Sequence, residues 1–421
     1  MLVTNSASGV SLTAEYEIND QLALKFIGSD RHSEYRAGLD DDSFVDDFLS
    51  FPELGEADQR SYELSLNGEY DKLNFVAGLY QFEEDGSNFQ DPTIFLGGPG
   101  DFLLRQDLKS VAVYASVGFQ ITDGFHLSGG VRNTQDDKTA AIKINSGLID
   151  TSASRDWSQT SWDLSATFDL GQRMNIYGTI QSGYQSGQFP ARSFCLFGFL
   201  DFTQPGNVSQ PNCFVANDNI TAINYEAGLK GLITDNLQLS LAVFYTEYTD
   251  LPYQVSTTIG GGFNTVNIIV DQTSTGLELE GSWAVTDRFL IHGSLGYINV
   301  DVDDPDAVAP LTPEMTASLS PEYTFSAGSG EVTIRVDYSY RDSMWGEPSD
   351  DPGRFTKIDS RSLVNADIAY RPDNGDWTLA FYAKNMTDER YDNARLNTND
   401  YIIKILSNDI REYGLRFIRA F

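Results

Sequence analysis

Leu237-Gln-Leu-Ser-Leu-Ala-Val-Phe-Tyr-Thr246 decides the fold. Leu237, Leu239, Leu241, Val243 and Tyr245 alternate with Gln238, Ser240, Ala242, Phe244 and Thr246. Successive side chains of an extended strand point to opposite faces, so this pattern is a strand with one strongly apolar face. Thr234-Asp235-Asn236, just before it, supplies turn chemistry. The same period recurs at Val332–Tyr340, Trp377–Tyr382 and Tyr413–Phe417. Counting such segments predicts about 17 strands of roughly 9 to 20 residues, the first near 9–18. Connections alternate in length. Short ones include Asn19-Asp20, Asp71-Lys72, Asp287-Arg288 and Asn374-Gly375-Asp376. Long polar stretches at 37–57, 84–105, 184–220, 342–362 and 392–408 read as loops.

The 421 residues carry 61 Asp and Glu against 28 Lys and Arg, a net charge of −33. That balance excludes a nucleic-acid partner, which needs a basic footprint. With 41% apolar residues the chain has enough apolar surface to order a fold. Three His and two Cys are too few for a zinc framework or a disulfide scaffold. There is no 18-residue apolar run to make a membrane helix. Met1-Leu-Val-Thr-Asn-Ser6 does not read as a signal peptide. The fold class expected is all-β. A water-soluble sandwich could show alternation too. Aromatics near strand ends, such as Tyr245, Tyr297, Tyr338, Tyr340, Trp377 and Tyr391, and the repeated short-turn, long-loop asymmetry favour a transmembrane antiparallel β-barrel. An odd count beginning on a descending strand predicts that the chain is incomplete at its N-terminus.

Six segments then resemble one family, the C-terminal barrel portion of TonB-dependent outer-membrane receptors. Gly129-Gly-Val-Arg-Asn-Thr-Gln-Asp-Asp-Lys138 resembles its G-[LV]-R-[YN]-T-x-[DE]-x-K strand. Ile180-Gln-Ser-Gly-Tyr-Gln-Ser-Gly-Gln-Phe189 resembles its "GFKSGGF" segment, with Gln188 in place of the second glycine of that pair. Asn224–Lys230 is similar to Y-E-x-G-x-K, and Ser274–Glu280 to S-x-G-[VL]-E-x-E. Ala383–Tyr391 resembles the penultimate strand "NLTDERY", and Arg411–Phe417 with Phe421 the closing strand. Residues 1–128 fit by alternation only. The resemblance implies a 22-stranded barrel with an N-terminal plug, of which 1–421 would be an incomplete barrel domain without plug or TonB box. It implies residence in the Gram-negative outer membrane among lipopolysaccharide and other lipid. It further implies insertion by the barrel assembly machinery and energy from TonB-ExbB-ExbD through the plug. The cargo implied is a small-molecule ligand, a ferric siderophore first, with cobalamin or an oligosaccharide as family alternatives. A passive porin is the runner-up, and a barrel-embedded hydrolase the third reading; no nucleophile constellation supports the latter.

No catalytic residue, metal site or cofactor is read from the sequence. Glu226, Lys230, Glu278, Glu280, Arg335, Asp337, Lys384, Glu412 and Arg416 fall on the polar face and read as a hydrated wall. His126 and His292 read the same way, and His32 shares no ligand spacing with either. The acidic clusters at Asp40–Asp42, Asp46-Asp47, Glu83–Asp85, Asp301–Asp306 and Asp350-Asp351 read as solvated loops or strand tips. By resemblance Tyr413, Leu415, Phe417 and Phe421 form the membrane-insertion signal. The 184–220 loop is apolar for an exposed segment. Its aromatics read either as an inward mini-core or as a ligand-capturing patch, with Phe194, Phe197, Phe199 and, from another loop, Trp345 as candidate substrate contacts. Cys195 and Cys213 share this loop, and an oxidising exterior pairs them. Closing the loop would stabilise it by about 3 kcal/mol. Neither thiol should then react with a maleimide on intact cells until a reductant is added; labelling without reductant would refute the disulfide.

Overall fold

The computed structural model describes residues 3–40, 50–90, 101–144, 149–189, 214–259, 262–397, 402–407 and 409–419. Among them the regular structure is almost wholly strand. The first eight strands are β1 Thr4–Asn19, β2 Leu22–Asp40, β3 Ser50–Glu69, β4 Leu73–Gln90, β5 Phe102–Thr122, β6 Phe125–Ile144, β7 Ile149–Asp169 and β8 Met174–Gln185. They are followed by β9 Ile220–Thr234, β10 Leu237–Ile259, β11 Gly262–Thr286, β12 Phe289–Val302, β13 Met315–Ser326 and β14 Gly330–Arg341. The rest are β15 Met344–Trp345, β16 Lys357–Ile358, β17 Arg361–Pro372, β18 Trp377–Lys384, β19 Asp392–Asn397, β20 Ile402–Leu406 and β21 Glu412–Arg419. Seventeen of these make one antiparallel sheet, while β15–β16 and β19–β20 are separate two-stranded pairs. The chain divides into two compact units, residues 1–164 with 181–221 and residues 165–180 with 222–421.

In the first unit each strand pairs with the next, and β2 meets β3 from Leu22↔Gly68 to Asp40↔Ser50 without a break. In the second, β10 through β14 pair in succession, then β14 with β17, β17 with β18 and β18 with β21. Tight turns suit these links. At Asn374-Gly375, φ of +72° takes the left-handed region that glycine enters without strain.

The two faces are inverted relative to a protein packed for water. Val111 on β5 is 57% exposed, whereas Ser110 beside it and Asp136 on β6 are 9% and 7% exposed. Leu64, Leu79, Val113, Val131 and Leu164 are likewise exposed. So broad an apolar face needs an apolar surrounding.

On the polar face a recurring joint locks neighbouring strands. A tyrosine ring lies across a glycine and gives its hydroxyl to a carboxylate. Tyr177 lies 2.6 Å from where a Gly228 Cβ would stand and donates to Glu226 at 2.7 Å. Tyr114 covers Gly78 and donates to Glu63, and Tyr382 covers Gly414 and donates to Glu412. The glycines of the Asn224–Lys230 and Arg411–Phe417 segments are therefore sockets for rings.

Several expected loops are strand. Residues 37–40 and 50–57 lie in β2 and β3, and 84–90 and 102–105 in β4 and β5, while 41–49 and 91–100 lie outside the described residues. Glu83, Glu84 and Asp85 stand in mid-ladder opposite Arg60, Gln59 and Asp58. Arg60 pairs with Asp30 at 3.0 Å, His32 with Asp58 at 2.9 Å, and Gln59 donates to Glu84 at 2.6 Å. Cross-strand polar pairs thus continue the ladder beyond the apolar band. Burial, then a hydrogen bond to Asp85, raises the Asp107 carboxyl above its ordinary range there. The stretches 342–362 and 392–408 contain the short strand pairs. The Ala383–Tyr391 motif is mostly turn, because β18 ends at Lys384 and Asn385 takes φ of +44°. The acids at 301–306 and 351 cap backbone N–H groups: Asp303 accepts from Asp271, Asp304 from Asp306, and Asp351 from Gly353.

Gly228→Val should displace the Tyr177 ring and cost about 1–3 kcal/mol. Tyr177→Phe should cost only about 1 kcal/mol. The temperature at which the detergent-folded protein loses its gel mobility shift orders the two.

Candidate functional site

The most enclosed part of the polar face lies in the first unit. Thr134, Asp136, Lys138, Ala140 and Ile142 alternate along β6, and all are buried. The chain leaving β8 and the chain entering β9 cover them. Phe189 and Phe214 pack at a tilt with ring centres 5.3 Å apart, and Trp157 meets Phe189 edge-on at 6.4 Å. Together with Ala140, Ile142 and Ala216 they form a small apolar core.

Two cations fasten this loop base. Lys138 Nζ donates to the Gly187 carbonyl at 2.8 Å and stands 5.4 Å from the Trp157 ring centre. Arg155 donates to the Ala216 carbonyl at 2.6 Å, pairs with Asp218, and packs on the same indole at 5.3 Å. The stems also join each other: Asn217 N donates to the Gln188 carbonyl at 3.1 Å, and Gln188 N to Asn217 Oδ1 at 2.8 Å. A Cβ on Gly187 would strike the Asn217 carbonyl, so this close approach requires glycine. Tyr184 donates to Asp136 at 3.0 Å. Burial lowers the Lys138 ammonium below its usual range, and the charges of Asp136 and Glu84 oppose that. The segments Gly129–Lys138 and Ile180–Phe189, read as separate in sequence, are two halves of one clamp.

Of the two readings of the loop aromatics, the mini-core holds for Phe189 and Phe214. Phe194, Phe197, Phe199, Cys195 and Cys213 lie outside the described residues, as does Phe421. Tyr413, Leu415 and Phe417 are exposed on the apolar face, where Tyr413 stacks on Phe381 at 6.4 Å and Phe417 on Trp377 at 6.0 Å. Trp345 sits in β15 with the Lys357 ammonium 5.3 Å from its ring centre. Next to it Glu347 takes two bonds from Arg354, at 3.0 and 2.7 Å, and one from Asn397 N at 2.6 Å. Glu347 and Arg354 help line a cavity of about 270 Å³ with Asp304 and Asp306.

A larger groove of about 550 Å³ lies in the first unit, lined by Arg31, Ser33, Tyr35, Gly55, Asn88 and Gln106 among others. Tyr35 donates to Glu53 at 2.6 Å, and Asn88 Nδ2 reaches both Tyr35 Oη and Glu53. Several of the remaining charges pair along this face: Arg335 with Asp337 at 2.8 Å, Arg416 with Asp367 at 3.6 Å, and Lys384 with Glu412 at 3.9 Å. His292 bonds Ser282 at 2.6 Å on this face. Among the described residues no group of three His, Cys, Asp or Glu is arranged to hold a metal ion.

Residues 3–386 match the protein-family model described as TonB dependent receptor-like, beta-barrel. The chain is 24% identical over 280 residues to the pesticin receptor of Yersinia enterocolitica, covering 65% of this chain and 37% of that receptor. It therefore spans less than two fifths of the length of the curated relatives it matches. Its fold is similar to that of the ferric yersiniabactin uptake receptor FyuA from Yersinia pestis, with a TM-score of 0.79 and 16% identity over 99% of this chain and 61% of that one. It is also similar to the siderophore receptor PiuA from Acinetobacter baumannii, with a TM-score of 0.71 and 16% identity over 99% and 64% of the two chains. At these identities the likeness shows a shared fold.

Removing the clamp should open the loop base and leave the sheet intact, because the two are separate stability units. A charge-assisted bond is worth about 1.5–3 kcal/mol, so Lys138→Met should speed protease nicking within 186–218 by about 10-fold or more. The gel-shift temperature should stay unchanged.

Proposed function

The chain belongs to the TonB-dependent receptor β-barrel family, and from that premise we propose that it serves energy-coupled uptake of a ferric siderophore across a bacterial outer membrane. The observation that carries this reading is the loop base held on the polar face by Lys138 and Arg155. Stems of chain fixed on the polar face can contact cargo there. A bare hydrated wall would serve a passive pore instead. The relatives support the choice of cargo, since one similar fold is a ferric yersiniabactin uptake receptor and another a siderophore receptor.

The exposed apolar face fits contact with lipid. Beyond it the charged ladder Asp30–Arg60 and His32–Asp58 fits the lipopolysaccharide headgroup level. The exposed row Tyr413, Leu415 and Phe417 is the surface that the barrel assembly machinery would read. Force would come from TonB-ExbB-ExbD acting on the receptor.

Deleting the coding locus in its native bacterium should abolish uptake of one radiolabelled ferric siderophore and slow growth under iron chelation. Loss of TonB should reproduce the defect, and the Lys138→Met allele should restore uptake only in part. Undiminished uptake of every siderophore the strain uses would refute the reading.

A further inference from the structure

β14 ends at Arg341 and β17 begins at Arg361, and the register sets these two residues directly opposite each other. Like charges in that position repel. In a chain with 61 acidic and 28 basic residues, partners are plentiful. Other arginines of the same unit have them: Arg335 with Asp337, Arg354 with Glu347, Arg395 with Asp359 and Asp392, and Arg416 with Asp367. Among the described residues Arg341 has none: its Nε and Nη2 are buried without a hydrogen-bond partner there. Arg361 lies flat on the Tyr391 ring at 4.0 Å, and Tyr391 is held through its hydroxyl by Asp409. Asp409 is in turn anchored through its carbonyl, which accepts from Asn385 Nδ2 at 2.7 Å.

Alternation puts Arg341 on the polar face with Arg335 and Asp337, while Tyr338 and Val336 are exposed on the apolar one. The site is therefore turned away from lipid. A guanidinium is always charged, and burying it without a counter-charge costs several kcal/mol. Two adjacent planar forks match an oxyanion, because each can give two parallel N–H bonds to a carboxylate or phosphate. We infer that Arg341 and Arg361, with Tyr391 as the platform beneath Arg361, form a subsite for the carboxylate or phosphate oxygens of a soluble ligand. This rests on reading the polar face as the solute path, and it adds to that reading an anionic group on the cargo.

The test uses the full chain folded in detergent and titrated calorimetrically with citrate and, in a second arm, with inorganic phosphate at matched ionic strength. Wild type should bind. Arg341→Gln should weaken binding about 10–100-fold, the range expected for losing one charge-assisted fork. Arg341→Lys should fall between, since it keeps the charge and loses the fork. Citrate binding without phosphate binding assigns the site to carboxylates; the converse assigns it to phosphates. In chloride alone Arg341→Gln should unfold at the same temperature as wild type or higher, because it relieves an uncompensated charge. Absence of binding of either anion by folded wild type would overturn the inference, as would equal binding by wild type and Arg341→Gln. Arg341→Gln unfolding well below wild type in chloride would do so as well, by showing the guanidinium to be structural. Anion binding needs no transport, so a chain that binds citrate but fails the uptake experiment would refute the transport reading and leave this site standing.

Discussion

Every backbone N–H and C=O in this sheet must find its partner on a neighbouring strand, because one face of the sheet offers no water to replace it. That constraint explains the long unbroken registers, such as Leu22–Asp40 on Ser50–Gly68. It also turns polar side chains beside the apolar band, such as Ser110 and Asp136, onto the other face. There the side chains must satisfy one another. Tyrosine, glycine and carboxylate do this together at Tyr177–Gly228–Glu226 and Tyr382–Gly414–Glu412. The ring fills the space left by the missing Cβ, and the hydroxyl gives the carboxylate a donor.

The family motifs are intelligible in the same terms. Asn385 is the centre of one. Its Oδ1 accepts from Glu389 N, its Nδ2 donates to the Glu389 and Asp409 carbonyls, and its own N–H goes to Asn365 Oδ1. One amide therefore ties the end of β18 to the chain before β21. Lys138 and Gly187 form another such tie, with a cation satisfying carbonyls that the irregular loop base leaves free of a ladder. Both ties hold chain onto the polar face.

The excess of acid over base sharpens the electrostatics. Many of the described cations are paired, some with two acceptors, as Arg395 is with Asp359 and Asp392. Arg341, with two buried guanidinium nitrogens that have no partner among the described residues, stands out against that background. A negative solute meets an acidic protein, so the places where positive charge is left unspent decide where it can rest.

The sequence by itself determined the strand class, the faces and very nearly the strand number, since period-2 alternation and turn residues are local properties. It also located the family segments. It misread 50–57 and 84–90 as loop, because a polar strand wetted on both faces has no apolar signal, and only the pairing of Glu83 with Arg60 and of Glu84 with Gln59 reveals the ladder. Only the tertiary structure decided that Lys138 meets Gly187, that Arg155 meets Ala216, and that Arg341 faces Arg361. The reason is register: alternation says which face a side chain occupies, while the residue across from it depends on where a distant strand or loop comes to lie.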